Sequence, residues 1–175
     1  PKPKPKRSEW EKLPDTSDQR RYSDGIAFND NQFLVIGGKY QNSCEYYDTK
    51  TRVWNSFPDL PYVFSKGGVA KSDDRVFLVG LGGEEFRKGH DVHQNKLICI
   101  DVPGGDLSNA KTGTWKSLAN MKQKRTNFAC AYDSRYIYVF GGLTSPGNTF
   151  LDTAERYDSQ TNKWEDLPPM PGGER

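Results

Sequence analysis

The sequence predicts an all-β chain built from one four-stranded antiparallel unit used three times. Three observations carry this. First, three apolar runs each reach a glycine pair: Gln32 to Gly37-Gly38, Arg75 to Gly82-Gly83, and Arg135 to Gly141-Gly142. Second, each run follows a short strand-like segment and a tight Asn/Asp/Ser turn, which is the signature of a hairpin. Third, each glycine pair is followed by a stretch ending in Asp (Asp48, Asp101, Asp158) and then by a stretch opening on Trp (Trp54, Trp115, Trp164).

In chain order, residues 1–9 alternate Pro and Lys, which favours an extended, solvated linker over any packed element. A basic arm for an acidic partner is the sharper reading of the same residues. Residues 10–14, Trp10-Glu-Lys-Leu-Pro14, copy the Trp-led fourth strand of a unit whose first three strands are absent. The first unit spans 20–58, the second 65–118 and the third 125–168. Residues 169–175 open a further connecting loop. Tyr47 precedes Trp54 and Tyr157 precedes Trp164 by the same step, whereas Ile100 stands at the corresponding place in the second unit. That unit also carries long insertions, from Gly83 to Asp101 and from Asp101 to Trp115, expected as loops on a retained scaffold.

A lone four-stranded sheet cannot cover both of its faces, and stacking it on its neighbours does so. Four-stranded units repeated in this way are the blades of a β-propeller. Glycines at the end of the second strand allow a turn where a side chain would clash. The Tyr and Trp of the outer strands are expected to fill the wedge between blades.

Apolar residues, a glycine pair, then a spaced Tyr and Trp resemble the kelch motif, and the resemblance covers roughly Trp10 to Met170. It implies a kelch propeller with an incomplete ring: three blades plus one N-terminal outer strand. The motif residues are Gly37, Gly38, Tyr47, Trp54, Gly82, Gly83, Trp115, Gly141, Gly142, Tyr157 and Trp164. Propellers close with about four to eight blades. The expectation is therefore a piece of a larger propeller, with a second copy completing a six-bladed ring as the alternative.

Composition narrows the function. Lys and Arg total 25 against 23 Asp and Glu, so no charge excess calls for nucleic acid. No apolar run approaches the ~20 residues of a membrane span. The cysteines, Cys44, Cys99 and Cys130, are odd in number and far apart, which suits reduced thiols and a cytoplasmic setting. His90 and His93 could clamp a metal in spacing, yet no third His accompanies them. No cofactor is expected, and no catalytic constellation is found.

A fold does not name a function, so the loops must argue it. The loops between second and third strands and those between blades are expected on one face. They hold Arg20, Arg21, Tyr40, Tyr62, Phe64, Lys66, Arg87, Arg125 and Phe150. Arg and aromatic residues are the usual anchors of protein interfaces. With Lys88, Lys122 and Lys124 beside them, an acidic protein segment is the expected partner. The resemblance is strongest to the BTB-kelch proteins. It implies a non-enzymatic protein-binding module such as the substrate receptor of a cullin-3 ubiquitin ligase. A cytoskeletal scaffold bound to actin or microtubules, and a fragment of a kelch enzyme such as a copper oxidase, stay open beside it.

Overall fold

Polar turns separate the apolar runs, and each run pairs with the next. In the computed structural model, which describes residues 10–81, 95–144 and 149–171, three antiparallel sheets result. The first contains β1 (Asp24–Ala27), β2 (Gln32–Gly38), β3 (Gln41–Asp48) and β4 (Val53–Phe57), paired in that order. The second contains β5 (Gly68–Lys71), β6 (Arg75–Leu81), β7 (Lys96–Asp101) and the two-residue β8 (Lys116–Ser117). The third contains β9 (Ala129–Asp133), β10 (Tyr136–Phe140), β13 (Ala154–Asp158) and β14 (Lys163–Leu167). A small ribbon, β11 (Leu143–Thr144) with β12 (Thr149–Phe150), extends the third blade between its second and third strands. The inner strands β1, β5 and β9 lie side by side, as propeller blades require.

Stacking decides which residues are buried. On β6 and β7 the alternating side chains Val76, Leu78, Ile98 and Ile100 enter a core shared with the first blade. Phe77, Val79, Leu97 and Cys99 enter a second core shared with the third blade. Both faces of the middle blade's β6 and β7 are covered, so these strands are continuous apolar runs without a polar alternation. The first blade contributes Leu34, Ile36, Cys44 and Tyr46 to one core, and the third contributes Ile137, Val139 and Tyr157 to the other. On the outer face of the third blade, Tyr136, Tyr138 and Phe140 are only half-buried and form a ladder of aromatic rings. Burial pushes the Cys44 and Cys130 thiols up to about 12, and raises that of Cys99 as well.

The shared Asp at the end of each third strand has a local cause. Asp48 Oδ1 accepts hydrogen bonds from the Lys50 and Thr51 amides, and Asp158 Oδ1 accepts from Gln160. Each carboxylate thus closes the turn into the fourth strand. Asp158 also pairs with Arg135, whose hydrogen bond is the main cause holding its carboxyl below the usual range. Asp101 is lowered by Lys116 and then by Arg75.

Three expectations are revised. Residues 10–14, expected as the outer strand of a preceding or ring-closing blade, join no sheet among the described residues, although Pro14 O accepts from Trp54 Nε1 at 2.8 Å. That contact repeats in the other blades. Trp115 Nε1 donates to Pro58 O at 3.0 Å and Trp164 Nε1 to Ala119 O at 2.7 Å. Residues 10–14 therefore take the place of a preceding blade's exit without its strand pairing.

The second revision concerns glycine register. Ile36 pairs with Cys44, Val79 with Leu97, and Phe140 with Ala154. The counterparts of Gly37 and Gly141 are thus Gly80, with Leu81 at the place of Gly38 and Gly142. Gly82 and Gly83 lie outside the described residues. Gly37 and Gly80 have φ of 57° and 80°, and a Cβ on Gly37 would come within 2.5 Å of Phe64 O. The conformation and the close approach of the next blade's loop, rather than the doubling, require glycine here.

Third, the insertion after Asp101 is not a free loop. It forms two short 3-10 turns, Pro103–Gly105 and Leu107–Ala110, that latch the second blade to the first. Gln32, buried in β2, donates to Asp106 Oδ1 at 2.8 Å and accepts from the Leu107 amide at 2.9 Å. Asn29 Nδ2 donates to Gly105 O at 2.9 Å. Val102, Leu107 and Ala110 complete the first core.

Leu107→Ala is expected to lower the unfolding free energy by about 2–5 kcal/mol in urea titrations, while the exposed Lys111→Ala stays within about 0.5 kcal/mol. The lowered carboxyls at 101 and 158 set a pH trend. Their contribution is complete above the ordinary Asp value of about 3.9 and is lost as pH falls through the depressed folded values. Asp158→Asn should therefore melt with a shallower dependence on pH in the acid range than the parent chain.

Candidate functional site

The loops that enter the first and third blades are held down by buried polar groups, and this sorts the candidate residues. In the first blade, Arg20 donates from Nε and Nη2 to Glu45 Oε1 at 3.0 and 2.9 Å, and from Nη1 to the carbonyls of Gly37 and Ser43. Glu45 Oε2 accepts from the Ser17 amide at 3.1 Å. The third blade repeats the device. Arg125 donates from Nη2 to Glu155 Oε1 at 2.7 Å and from Nη1 to Gly141 O and Thr153 O, and Glu155 Oε2 accepts from the Lys122 amide at 2.8 Å. Both arginine–glutamate pairs are almost wholly removed from water, with Arg125 and Glu155 side chains 0% and 2% exposed. An ion pair is tolerated at such depth when its remaining donors and acceptors are largely satisfied; the loop amides and the carbonyls at the strand ends do this, and Arg125 Nε is the one donor of the two pairs left without a partner among the described residues.

The middle blade builds the same place from different chemistry. By strand register, Ile98 stands at the position of Glu45 and Glu155. Phe64 stands where the other blades have arginine, and Pro61 where they have the donating amides of Ser17 and Lys122. Acceptor, cation and N–H donor are all absent together, so no buried charge is left unpaired. Phe64 and Ile98 are both buried in the core shared with the first blade. Above them Lys96 Nζ lies 4.0 Å from the Tyr62 ring, at the position where the flanking blades carry the hydrogen bonds Ser43–Asp18 and Thr153–Gln123.

Arg20, Arg125 and Phe64, expected as partner contacts, are therefore corrected to internal supports of the loops. Arg87 lies outside the described residues, as do Lys88, His90 and His93. Phe150 is exposed on the β11–β12 ribbon, and Lys122 is engaged with Asp166. Tyr62 is half-buried beneath Lys96.

Arg21, Tyr40 and Lys66 remain open, and the structure joins them. The Lys39 amide donates to Arg21 O at 2.8 Å, which ties the turn after β2 to the loop before β1. Arg21 and Lys66 stand 6.0 and 5.7 Å from the centre of the Tyr22 ring, and Lys39 stands 4.9 Å from that of Tyr40. Tyr22 and Tyr40 are 59% and 68% exposed. Their backbones and that of Lys66 hold φ of 56°, 66° and 59°, a region that bulky residues rarely adopt and that costs on the order of 1–3 kcal/mol each. In the third blade the residue matching Tyr22 and Lys66 is Asn127, a type that enters this region more readily.

Tyr22 and Lys39 escaped the sequence reading. The signal was present as two basic–aromatic dipeptides, Arg21-Tyr22 and Lys39-Tyr40, flanking the first hairpin. Charge completes the picture. Among the described residues, Arg20, Arg52, Arg75, Arg125, Arg135 and Arg156 each pair with a carboxylate, and Arg21 alone among the arginines does not. Neither Lys39 nor Lys66 has an ion-pair partner among those residues either. The patch is an uncompensated trio of cations held on two tyrosine rings. No group of His, Cys, Asp and Glu among the described residues could hold a metal, and no helix there is long and apolar enough to cross a membrane.

Comparison with known proteins agrees with this architecture. Residues 124–171 match the kelch motif. Kelch-like protein 40 of Xenopus laevis is 31% identical over 171 residues, covering 94% of this chain and 25% of its own length. Kelch-like protein 15 of Gallus gallus is 31% identical over 137 residues, 78% of this chain and 26% of its own. An F-box/kelch-repeat protein of Arabidopsis thaliana is 27% identical over 166 residues, 93% of this chain and 43% of its own. The chain thus spans about a quarter of the length of the Kelch-like relatives it matches.

The two kinds of arginine should separate in the laboratory. Arg125→Ala strands Glu155 in the interior and is expected to cost about 3–5 kcal/mol in denaturant titrations. Importing the middle blade's solution, Arg125→Phe with Glu155→Ile and Lys122→Pro, should recover most of that loss. Arg21→Ala should leave the melting curve within about 0.5 kcal/mol of the parent.

Proposed function

The chain belongs to the kelch-repeat family, and we propose that it holds a partner protein on the face formed by its inter-blade loops and the turns after the second strands. A kelch protein-interaction module is what its relatives support; the finer assignment rests on the patch of the first two blades. The observation that carries it is the unpaired charge on Arg21, Lys39 and Lys66, gathered around the exposed rings of Tyr22 and Tyr40. Such a surface favours an acidic segment. Unpaired cations attract carboxylates over distance and speed encounter, while the tyrosines add contact area with little rotamer entropy to lose. Stacking on the rings restrains the long cationic side chains before binding, which lowers the ordering cost.

Arg20 and Arg125 serve this function indirectly. Each fixes the loop of its own blade from below, Arg20 doing so for the loop that carries Arg21 and Tyr22. By resemblance to the BTB-kelch proteins, the partner would be the substrate of a cullin-3 ubiquitin ligase, held by the propeller in a cytoplasmic complex. The propeller would supply the recognition and no chemical step.

Fluorescence anisotropy with a labelled Glu/Gly peptide tests the binding face. Arg21→Glu combined with Lys66→Glu should weaken binding by about tenfold or more, and added salt should weaken the parent in the same direction. The melting temperature should not move. Unchanged affinity in the reversed variant would remove the basic patch as the binding face.

A further inference from the structure

Building on the acidic-partner reading, we propose that the anion taken by this patch is a phosphorylated side chain of the partner, a phosphoserine, phosphothreonine or phosphotyrosine.

The patch is made of donors. Arg21 offers a guanidinium fork, and Lys39 and Lys66 each offer an ammonium group. Among the described residues neither the Tyr22 nor the Tyr40 hydroxyl makes a hydrogen bond, and no carboxylate lies within ion-pair distance of the three cations. Tyr22 carries two cations and Tyr40 one. Each exposed ring thus presents contact area with a cation beside it.

The charge count separates the anions. A single carboxylate neutralises one of the three cations, so a carboxylate ligand would need several acidic residues ordered together. A phosphate monoester brings nearly two negative charges and three acceptor oxygens on one side chain. One oxygen pair suits the Arg21 fork, and the remaining acceptor capacity suits the Lys66 ammonium on the same ring.

The arrangement is also local. Arg21 and Lys66 share one ring, and Lys39 is bonded through its amide to the Arg21 carbonyl. Consecutive blades supply these groups, since Arg21 and Lys39 flank the first hairpin and Lys66 precedes β5. A ligand bound here would bridge two blades at one point, which a compact dianion does better than an extended acidic stretch.

The test uses one peptide sequence with neutral flanks in three forms, carrying phosphoserine, Glu or Ser at its centre, titrated against the intact chain by fluorescence anisotropy. The phosphoserine form is expected to bind at least about tenfold more tightly than the Glu form, and the Ser form not to bind. Because the second ionisation of phosphate lies near pH 6, affinity for the phosphoserine form should fall between about pH 7.5 and pH 5.5, while that for the Glu form stays level. Arg21→Lys keeps the charge and removes the fork, and should cut the preference for phosphoserine over Glu with the melt unchanged. Equal binding of the phosphoserine and Glu forms would overturn the phosphate assignment and leave the acidic-partner reading standing. Binding of neither form would overturn both.

Discussion

The structure depends on how each blade anchors the loop that enters it. That loop crosses the top of its own sheet, and its backbone would leave amides and carbonyls without partners at the point of burial. In the first and third blades, one glutamate on the third strand and one arginine in the loop satisfy these groups together. Glu45 and Glu155 collect loop amides, while Arg20 and Arg125 return hydrogen bonds to the strand carbonyls near Gly37 and Gly141. The carbonyls engaged lie where the second strand leaves the sheet. The glycine turn, the loop and the third strand are therefore parts of one arrangement, and none can be replaced in isolation.

The middle blade shows that charge is not itself the requirement. Replacing a buried, fully bonded ion pair by apolar side chains of similar bulk is often neutral or stabilising, whereas removing one member is costly. Phe64, Ile98 and Pro61 make that replacement in full, down to the proline that has no amide to satisfy. The apolar version suits a blade covered on both faces, and it joins Phe64 and Ile98 to a core that the insertion at 102–113 also enters. The same insertion carries the Leu107 amide onto the Gln32 side chain and so ties the irregular blade to the first.

Much of this was legible in the residues. The four-strand repeat, the turn-forming Asp48 and Asp158 and the Tyr–Trp step all follow from local rules, because hairpin turns and cross-strand pairs act over short spans. Tyr47 and Trp54 are directly opposed across two strands, as Tyr157 and Trp164 are, with ring centres 5.3 and 5.4 Å apart. What misled was context. The glycine pair at 82–83 fits the pattern in sequence, but strand pairing gives the role to Gly80, since the β-bulge between Val79 and Leu81 sets the count. Arg20 and Arg125 read as surface anchors because a loop arginine ordinarily is one. Their partners Glu45 and Glu155 are distant in sequence, and the joint loss of both in the middle unit was the clue that they belonged together.

The proposed binding face is made of charges that this scaffold does not consume. Cations that support the fold are recognisable by their carboxylates, and they are unavailable to a partner without loss of the loop they hold. Arg21 is adjacent in sequence to Arg20, yet one points into the scaffold's hydrogen bonds and its neighbour is left with an aromatic ring and a second cation. Two adjacent arginines thus divide two tasks. The buried one ties the loop to Glu45 and to the Gly37 and Ser43 carbonyls, and the exposed one adds the charge. A protein that needed only solubility would place such cations beside carboxylates or far from one another. Three of them stand on strained, aromatic-bearing turns, and the proposed ligand would supply the negative charge that the described residues do not.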